Sequence, residues 1–259
     1  MAIAKINGQA IRYEDSGGSG PVVVFSHGLL MDGSMFAPQV ATLRTRYRVV
    51  TWDERGHGGT NDAAAPFSYY DSANDLVALL DHLGIDRAVF GGMSQGGYLS
   101  LRAALRHPQR VRALILIDTQ ARPEDPATLP LYTQLVQNWA ANGLDDQTAA
   151  TIEHIILGTG YADAPTWKAK WKQVRGANLL QIFNTLVTRD DISDAIAAIK
   201  VPALVVHGTA DAAIPLTHAQ EMATRLHAEL VAVPGAGHAA NLTHPEIVNP
   251  AIERFLAAL

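Results

Sequence analysis

The chain has 259 residues, of which 48% are apolar and 17% charged; its formal net charge is −5 at pH 7 and it has no cysteine. This balance supports a large buried core and excludes a disordered chain. The acidic charge argues against nucleic acid or an anionic membrane as the partner, and the lack of cysteine excludes disulfides, thiolate metal sites and thiol nucleophiles.

The opening, "MAIAKINGQAIRYEDSGG", lacks the basic segment and long apolar run of a signal peptide. Later runs such as "PVVVF" and "ALILI" are far too short to span a bilayer. A soluble, cytoplasmic protein is expected. Asn7-Gly8 separates two short alternating runs, which predicts an antiparallel hairpin. Six Val/Ile/Leu-rich runs follow, at 21–28, 47–53, 87–92, 112–118, 202–208 and 228–235. They lack polar alternation, as parallel strands covered on both faces do. Helical patterns fall at 71–84, 96–108, 219–228 and 250–259. The alternation predicts an α/β fold, a mostly parallel sheet with helices on both faces. Residues 121–196 break this rhythm with about four helical patterns and no convincing strand. The expected division is therefore a core of 1–120 and 197–259 with a helical insertion of 121–196.

The segment "VFGGMSQGGYLSLRAAL" changes from strand to helix character at Gly92-Met93-Ser94-Gln95-Gly96. G-x-S-x-G at such a junction is the pattern of a nucleophile elbow, in which a sharp turn lifts a serine hydroxyl clear of the backbone. The plainer alternative is a strand-to-helix turn with Ser94 as an N-cap. A nucleophilic serine needs a histidine base and a carboxylate to orient it. Of ten histidines, His238 lies among small residues in the loop "VPGAGHAANLTHP" after the final strand. It is preferred to His244, which precedes Pro245 and leads into the next helix. His27 and His207 end strands before glycines and read as turn-shaping residues. Asp211 follows "ALVVHGTAD", at the carboxyl end of a strand, where ligand chemistry gathers in open α/β sheets. Asp118, which ends "RALILID", is the second candidate. Backbone donors to an oxyanion are expected from Gln95, just after the serine, and from Leu29, in the loop after "VVVFSHG".

Five stretches, "SHGLLMD", "WDERGHGGT", "GGMSQGG", "VVHGTAD" and "PGAGHAANL", together resemble the α/β-hydrolase superfamily. They occur in its order and extend across nearly the whole chain. Within it the chain is most similar to small capped serine esterases and to 3-oxoadipate enol-lactonases. The resemblance implies an eight-stranded sheet, a Ser-His-Asp triad and a helical cap at the position of the 121–196 insertion. "WDERGHGGT" matches the D-x-R-G-x-G-x-S turn of that family with Thr60 in the serine place, so Asp53 and Arg55 are expected to brace loops. "NLTHPE" departs from it, with Thr243 where relatives usually carry glutamate.

The expected function is hydrolysis of a small carboxylic ester or lactone through an acyl-enzyme on Ser94, with no cofactor and no metal. A carbon–carbon bond hydrolase, a perhydrolase with the same triad, or a non-enzymatic small-molecule receptor of this fold are the alternatives. Haloalkane dehalogenases and epoxide hydrolases of similar fold use an aspartate nucleophile, which Ser94 argues against. Trp139 and Trp167 are candidate substrate contacts, with Trp171, Leu131, Tyr132 and Phe183 also in the insertion; aromatics at helical spacing more often build core, so only one or two are expected to reach the site. No cation can be assigned to the pocket, so an uncharged or modestly polar acyl group is expected. The partner is a small molecule rather than nucleic acid or membrane, and no oligomeric state is legible.

Overall fold

Asn7 and Gly8 adopt φ angles of 47° and 78°, the left-handed pair a two-residue hairpin turn requires. They join strand β1 (Ala2–Ile6) to β2 (Gln9–Asp15) in antiparallel register. The computed structural model describes residues 1–60, 62–63 and 65–259. With β3 (Val22–Ser26), β4 (Arg48–Trp52), β5 (Ala88–Met93), β6 (Val111–Ile117), β7 (Ala203–Gly208) and β8 (Glu229–Val233), the hairpin forms one eight-stranded sheet. Its order is β1-β2-β4-β3-β5-β6-β7-β8, parallel from β4 to β8.

Position in the sheet explains the sequence pattern. Every residue of β5 and β7 is buried, as expected for central strands covered on both faces. Edge strands β1 and β8 keep exposed residues. The chain passes from β3 to β4 on one side and then to β5 on the other. That reversal is the switch point at which open α/β sheets gather ligands, at the carboxyl ends of the strands.

The helices are α1 (Ala37–Leu43), α2 (Tyr69–His82), α3 (Gln95–Arg106), α4 (Leu129–Asn142), α5 (Asp146–Ile156), α6 (Ala164–Trp171), α7 (Gly176–Val187), α8 (Leu216–Leu226), α9 (Ala240–Thr243) and α10 (Pro245–Ala257). Helix α2 opens with a reciprocal capping box between Ser68 and Asp71. Helices α4 to α7 all lie between β6 and β7, and α4 packs on α7. The final helix starts earlier than the pattern at 250 indicates. Pro245, which needs no N–H partner in the first turn, opens it, and Pro250 lies inside at the loss of one backbone bond. No helix among the described residues is long and apolar enough to cross a membrane.

Candidate active site

The elbow is built by exclusion of Cβ atoms. A Cβ on Gly92 would fall 2.1 Å from the carbonyl of Gly96, and one on Gly96 would fall 1.9 Å from the Ser26 carbonyl oxygen. Helix α3 can therefore meet the ends of β5 and β3 only if Gly92 and Gly96 are both glycine. Ser94 N–H still donates to Ile117 O at 3.0 Å, extending the β5–β6 ladder by one residue before the chain turns. The turn holds Ser94 at φ 49° and ψ −116°, a conformation that costs a non-glycine residue about 1–3 kcal/mol. Its side chain makes no capping bond, which disfavours the N-cap alternative. Tyr98, one turn into α3, lines the same cavity as Ser94.

His238 and Asp211, the expected base and acid, lie in the loops after β8 and β7. His238 Nδ1 donates to Asp211 Oδ2 at 2.8 Å, which leaves Nε2 as the acceptor. Asp211 Oδ1 accepts the amides of Ala213 at 2.8 Å and Ile214 at 3.0 Å, so the carboxylate is fixed at both oxygens. Burial alone would raise the Asp211 pKa; His238, the Ile214 amide and nearby His207 outweigh it and hold the group low. Burial likewise favours neutral His238, but the charge and hydrogen bond of Asp211 lift it above its ordinary value.

Asp118 has a different task. Its carboxyl oxygens accept Gly208 N–H and Ala240 N–H, each at 2.8 Å. These amides belong to the segments that carry Asp211 and His238, so Asp118 ties the two loops together. Burial, reinforced by the charge of Asp211, pushes it up to about 8. Asp118, His207 and Asp211 have ligand atoms within 4.8 Å of one another. A cation there would have to displace amide and imidazole bonds, because only His207 Nδ1 among these groups lacks a partner.

The remaining wall is the turn after β3. Met31 N–H closes it onto Gly28 O at 3.1 Å, with Leu30 at φ 64°. Trp171 Nε1 donates to Leu30 O at 2.9 Å, tying α6 to this turn. A Cβ on Gly28 would sit 3.5 Å from Ser94 Cβ, so the loop carrying Leu29 runs beside the serine. Ser94, His238, Leu29 and Met93 share one cavity of about 120 Å³ with Trp139 and Phe183 from the inserted helices.

The family model described as alpha/beta hydrolase fold matches residues 21–245. The chain belongs to the α/β-hydrolase family. It is 30% identical over 247 residues to a putative carbamate hydrolase RutD from Caulobacter sp., covering 91% of this chain and 90% of that one. An enol-lactonase from Burkholderia xenovorans LB400 superposes with a TM-score of 0.90 at 27% identity, covering 98% of this chain and 99% of the other. A thermophilic esterase from Thermogutta terrifontis superposes at 0.87 with 26% identity, covering 96% and 94%.

Around the elbow this hydrolase carries a buried polar network. Gln95 Nε2 donates to Glu54 Oε2 at 2.6 Å, Ser72 Oγ donates to Glu54 Oε1, and Tyr69 OH donates to Gln95 Oε1 at 3.3 Å. Burial raises Glu54 to about 8 and lowers His57, beside it, to about 3. His27 Nε2 accepts the Glu54 amide at 3.0 Å, so His27 does shape the turn. Asp53 braces loops as expected: it accepts Gly33 and Gly59 amides and pairs with Arg12, while Thr60 Oγ1 donates to the Asp53 carbonyl at 2.6 Å. Arg55 pairs with Asp75.

Of the residues singled out in the sequence, Ser94, His238, Leu29 and Trp139 line the cavity, and Asp211 lies behind His238. Gln95 is buried at the start of α3, where first-turn amides lack intrahelical acceptors. Trp167 does not line the cavity; it is buried in α6 with the Lys170 ammonium 4.1 Å from its ring centroid. Tyr132 and Phe183 do reach the cavity, whereas Leu131 is 65% exposed. Sequence reasoning missed Glu54, Tyr98 and Glu124. Tyr98 carried a usable signal, since it lies one helical turn beyond Ser94 and shares its face.

Proposed function

We propose that this hydrolase cleaves a small carboxylic ester or lactone through an acyl-enzyme on Ser94. The observation that carries the reading is the 2.8 Å Asp211–His238 bond behind a cavity that also holds Ser94 at its left-handed turn. Ser94 Oγ attacks the acyl carbon while His238 Nε2 takes its proton. Asp211 remains ionised and stabilises the imidazolium. The oxyanion is held by the amides of Gln95 and Leu29, each worth about 3–4 kcal/mol to the transition state. His238 returns the proton to the departing alkoxide, then deprotonates a water that attacks the acyl-enzyme and releases the acid. In a lactone the alkoxide stays tethered to the acyl group. Helices α4 to α7 act as a cap over the acyl group, with Trp139 among its contacts. Relatives named enol-lactonase and esterase favour an acyl–oxygen bond as the target.

Ser94→Ala is expected to abolish turnover of p-nitrophenyl acetate while the circular dichroism spectrum and melting temperature are kept. Retained turnover in the folded variant would rule out the acyl-enzyme.

A further inference from the structure

The walls of the cavity are apolar apart from Ser94, His238, two tyrosines and one carboxylate, Glu124. Glu124 follows β6 and pairs with Arg189, which follows α7. Arg189 is enclosed, with 1% of its side chain exposed. Its Nε donates to Arg122 O at 2.9 Å, its Nη1 to Leu186 O at 3.1 Å, and its guanidinium lies 4.1 Å from the Tyr98 ring centroid. Its Nη2 is buried without a hydrogen-bond partner. Glu124 lines the cavity and Arg189 does not, so the chamber meets the carboxylate and not the guanidinium.

We propose that Glu124 is a specificity subsite that selects an uncharged acyl group bearing a hydroxyl or N–H donor. The inference rests on the hydrolase reading above and narrows its substrate. A carboxylate has about four acceptor positions, and Arg189 satisfies only part of them. A donor on an otherwise apolar acyl chain gives Glu124 a bond that replaces water. A substrate carboxylate meets like charge in a low-dielectric chamber. A substrate ammonium leaves the Glu124–Arg189–ligand group with net positive charge and no solvent. The subsite therefore favours a neutral donor over either ion. It also separates this chain's expected substrate from an acid-bearing enol-lactone.

The test is a set of p-nitrophenyl esters: hexanoate, 3-hydroxybutanoate as each enantiomer, 6-hydroxyhexanoate, the methyl ethers of both hydroxy acids, and the mono-ester of adipate. Hydrogen bonding to a charged acceptor predicts that the better hydroxy ester exceeds its methyl ether by about tenfold or more in kcat/KM, with the adipate mono-ester lowest. Glu124→Gln should collapse that ratio and raise the adipate ester relative to hexanoate, because the guanidinium then lacks its counter-charge. If Glu124→Gln does not fold, the wild-type ranking alone decides. Equal rates for hydroxy and methoxy esters, or an adipate ester that ranks first, would overturn the subsite while leaving the esterase intact. No turnover of any ester would overturn the hydrolase reading and this inference with it.

Discussion

Replacing Asp211 or Asp118 by asparagine separates an orienting acid from a structural brace. Asp211 Oδ1 accepts two backbone amides, so in Asp211→Asn the remaining side-chain oxygen must stay there. The new NH2 group then occupies the Oδ2 position, 2.8 Å from His238 Nδ1. His238 can keep a bond only by accepting at Nδ1, which puts its proton on Nε2 and removes the acceptor that the proposed mechanism needs for the Ser94 proton. Such a tautomer error lowers kcat by about 10⁴-fold in a triad enzyme. Few bonds are lost, so the melting temperature should change little. In Asp118→Asn a single side-chain oxygen is left for two amide donors, Gly208 and Ala240. One buried N–H then faces an NH2, at about 1–3 kcal/mol. For a chain of this size that lowers the melting temperature by about 2–12 °C. The loops it joins remain held by the sheet, so kcat should fall by less than about tenfold, well short of losing a triad member. Steady-state hydrolysis of p-nitrophenyl acetate and thermal melts of both variants give the comparison. An Asp118→Asn enzyme that loses more kcat than Asp211→Asn would assign the orienting acid to Asp118 and refute the triad proposed here.

Two further outcomes follow from the same geometry. Because His238 must be neutral to act and its pKa is raised, kcat/KM should climb with pH through a midpoint above 6.5; a midpoint below 6 would mean that another group limits the reaction. Stability should fall between pH 6.5 and 8: Glu54 and Asp118, raised to about 8, lose their favourable contribution from their ordinary range near 4 up to about 8, while the gain from deprotonating His57, lowered to about 3, and buried His27 and His207 is complete once the pH passes the ordinary imidazole value of 6.5. A melting temperature still increasing from pH 6.5 to 8.5 would contradict that balance.

Much of the fold was legible because its signals are local. Asn7-Gly8 predicts its hairpin through backbone angles that few other pairs adopt, and the six apolar runs mark the strands from β3 to β8 within a few residues. The start of α10 was misread because two prolines compete for the first helical position. Only tertiary packing decides that Pro245 takes it and that the helix tolerates Pro250. The elbow was legible because its chemistry is written in consecutive residues. Glu54, Arg189 and Glu124 were not, because their meaning lies in partners far along the chain. A glutamate after an aspartate in a turn reads as a solvated charge until Gln95 and Ser72 are seen to enclose it.

Two buried carboxyls, Asp118 and Glu54, also explain why the site is rigid where it must be. Asp118 fastens the base loop to the acid loop, and Glu54 fastens the side chain of the residue after Ser94. Each does so from a fully enclosed position, where a charge is disfavoured and the bonds it makes are strengthened by the low dielectric. A serine held at a positive φ stores strain that the surroundings must overdetermine. Here the opposing constraints are specific: Thr119 Oγ1 donating to Ser94 O at 2.7 Å, Gly97 and Tyr98 amides donating to the same carbonyl, and the glycine contacts that admit no Cβ. Relaxing any of them lets Ser94 fall back toward an ordinary helix start, where its hydroxyl would cap α3 instead of opening on the cavity it shares with His238. The geometry of the proposed triad is therefore a property of the β5–α3 junction and of the two enclosed carboxyls together, and Ser94 alone does not carry it.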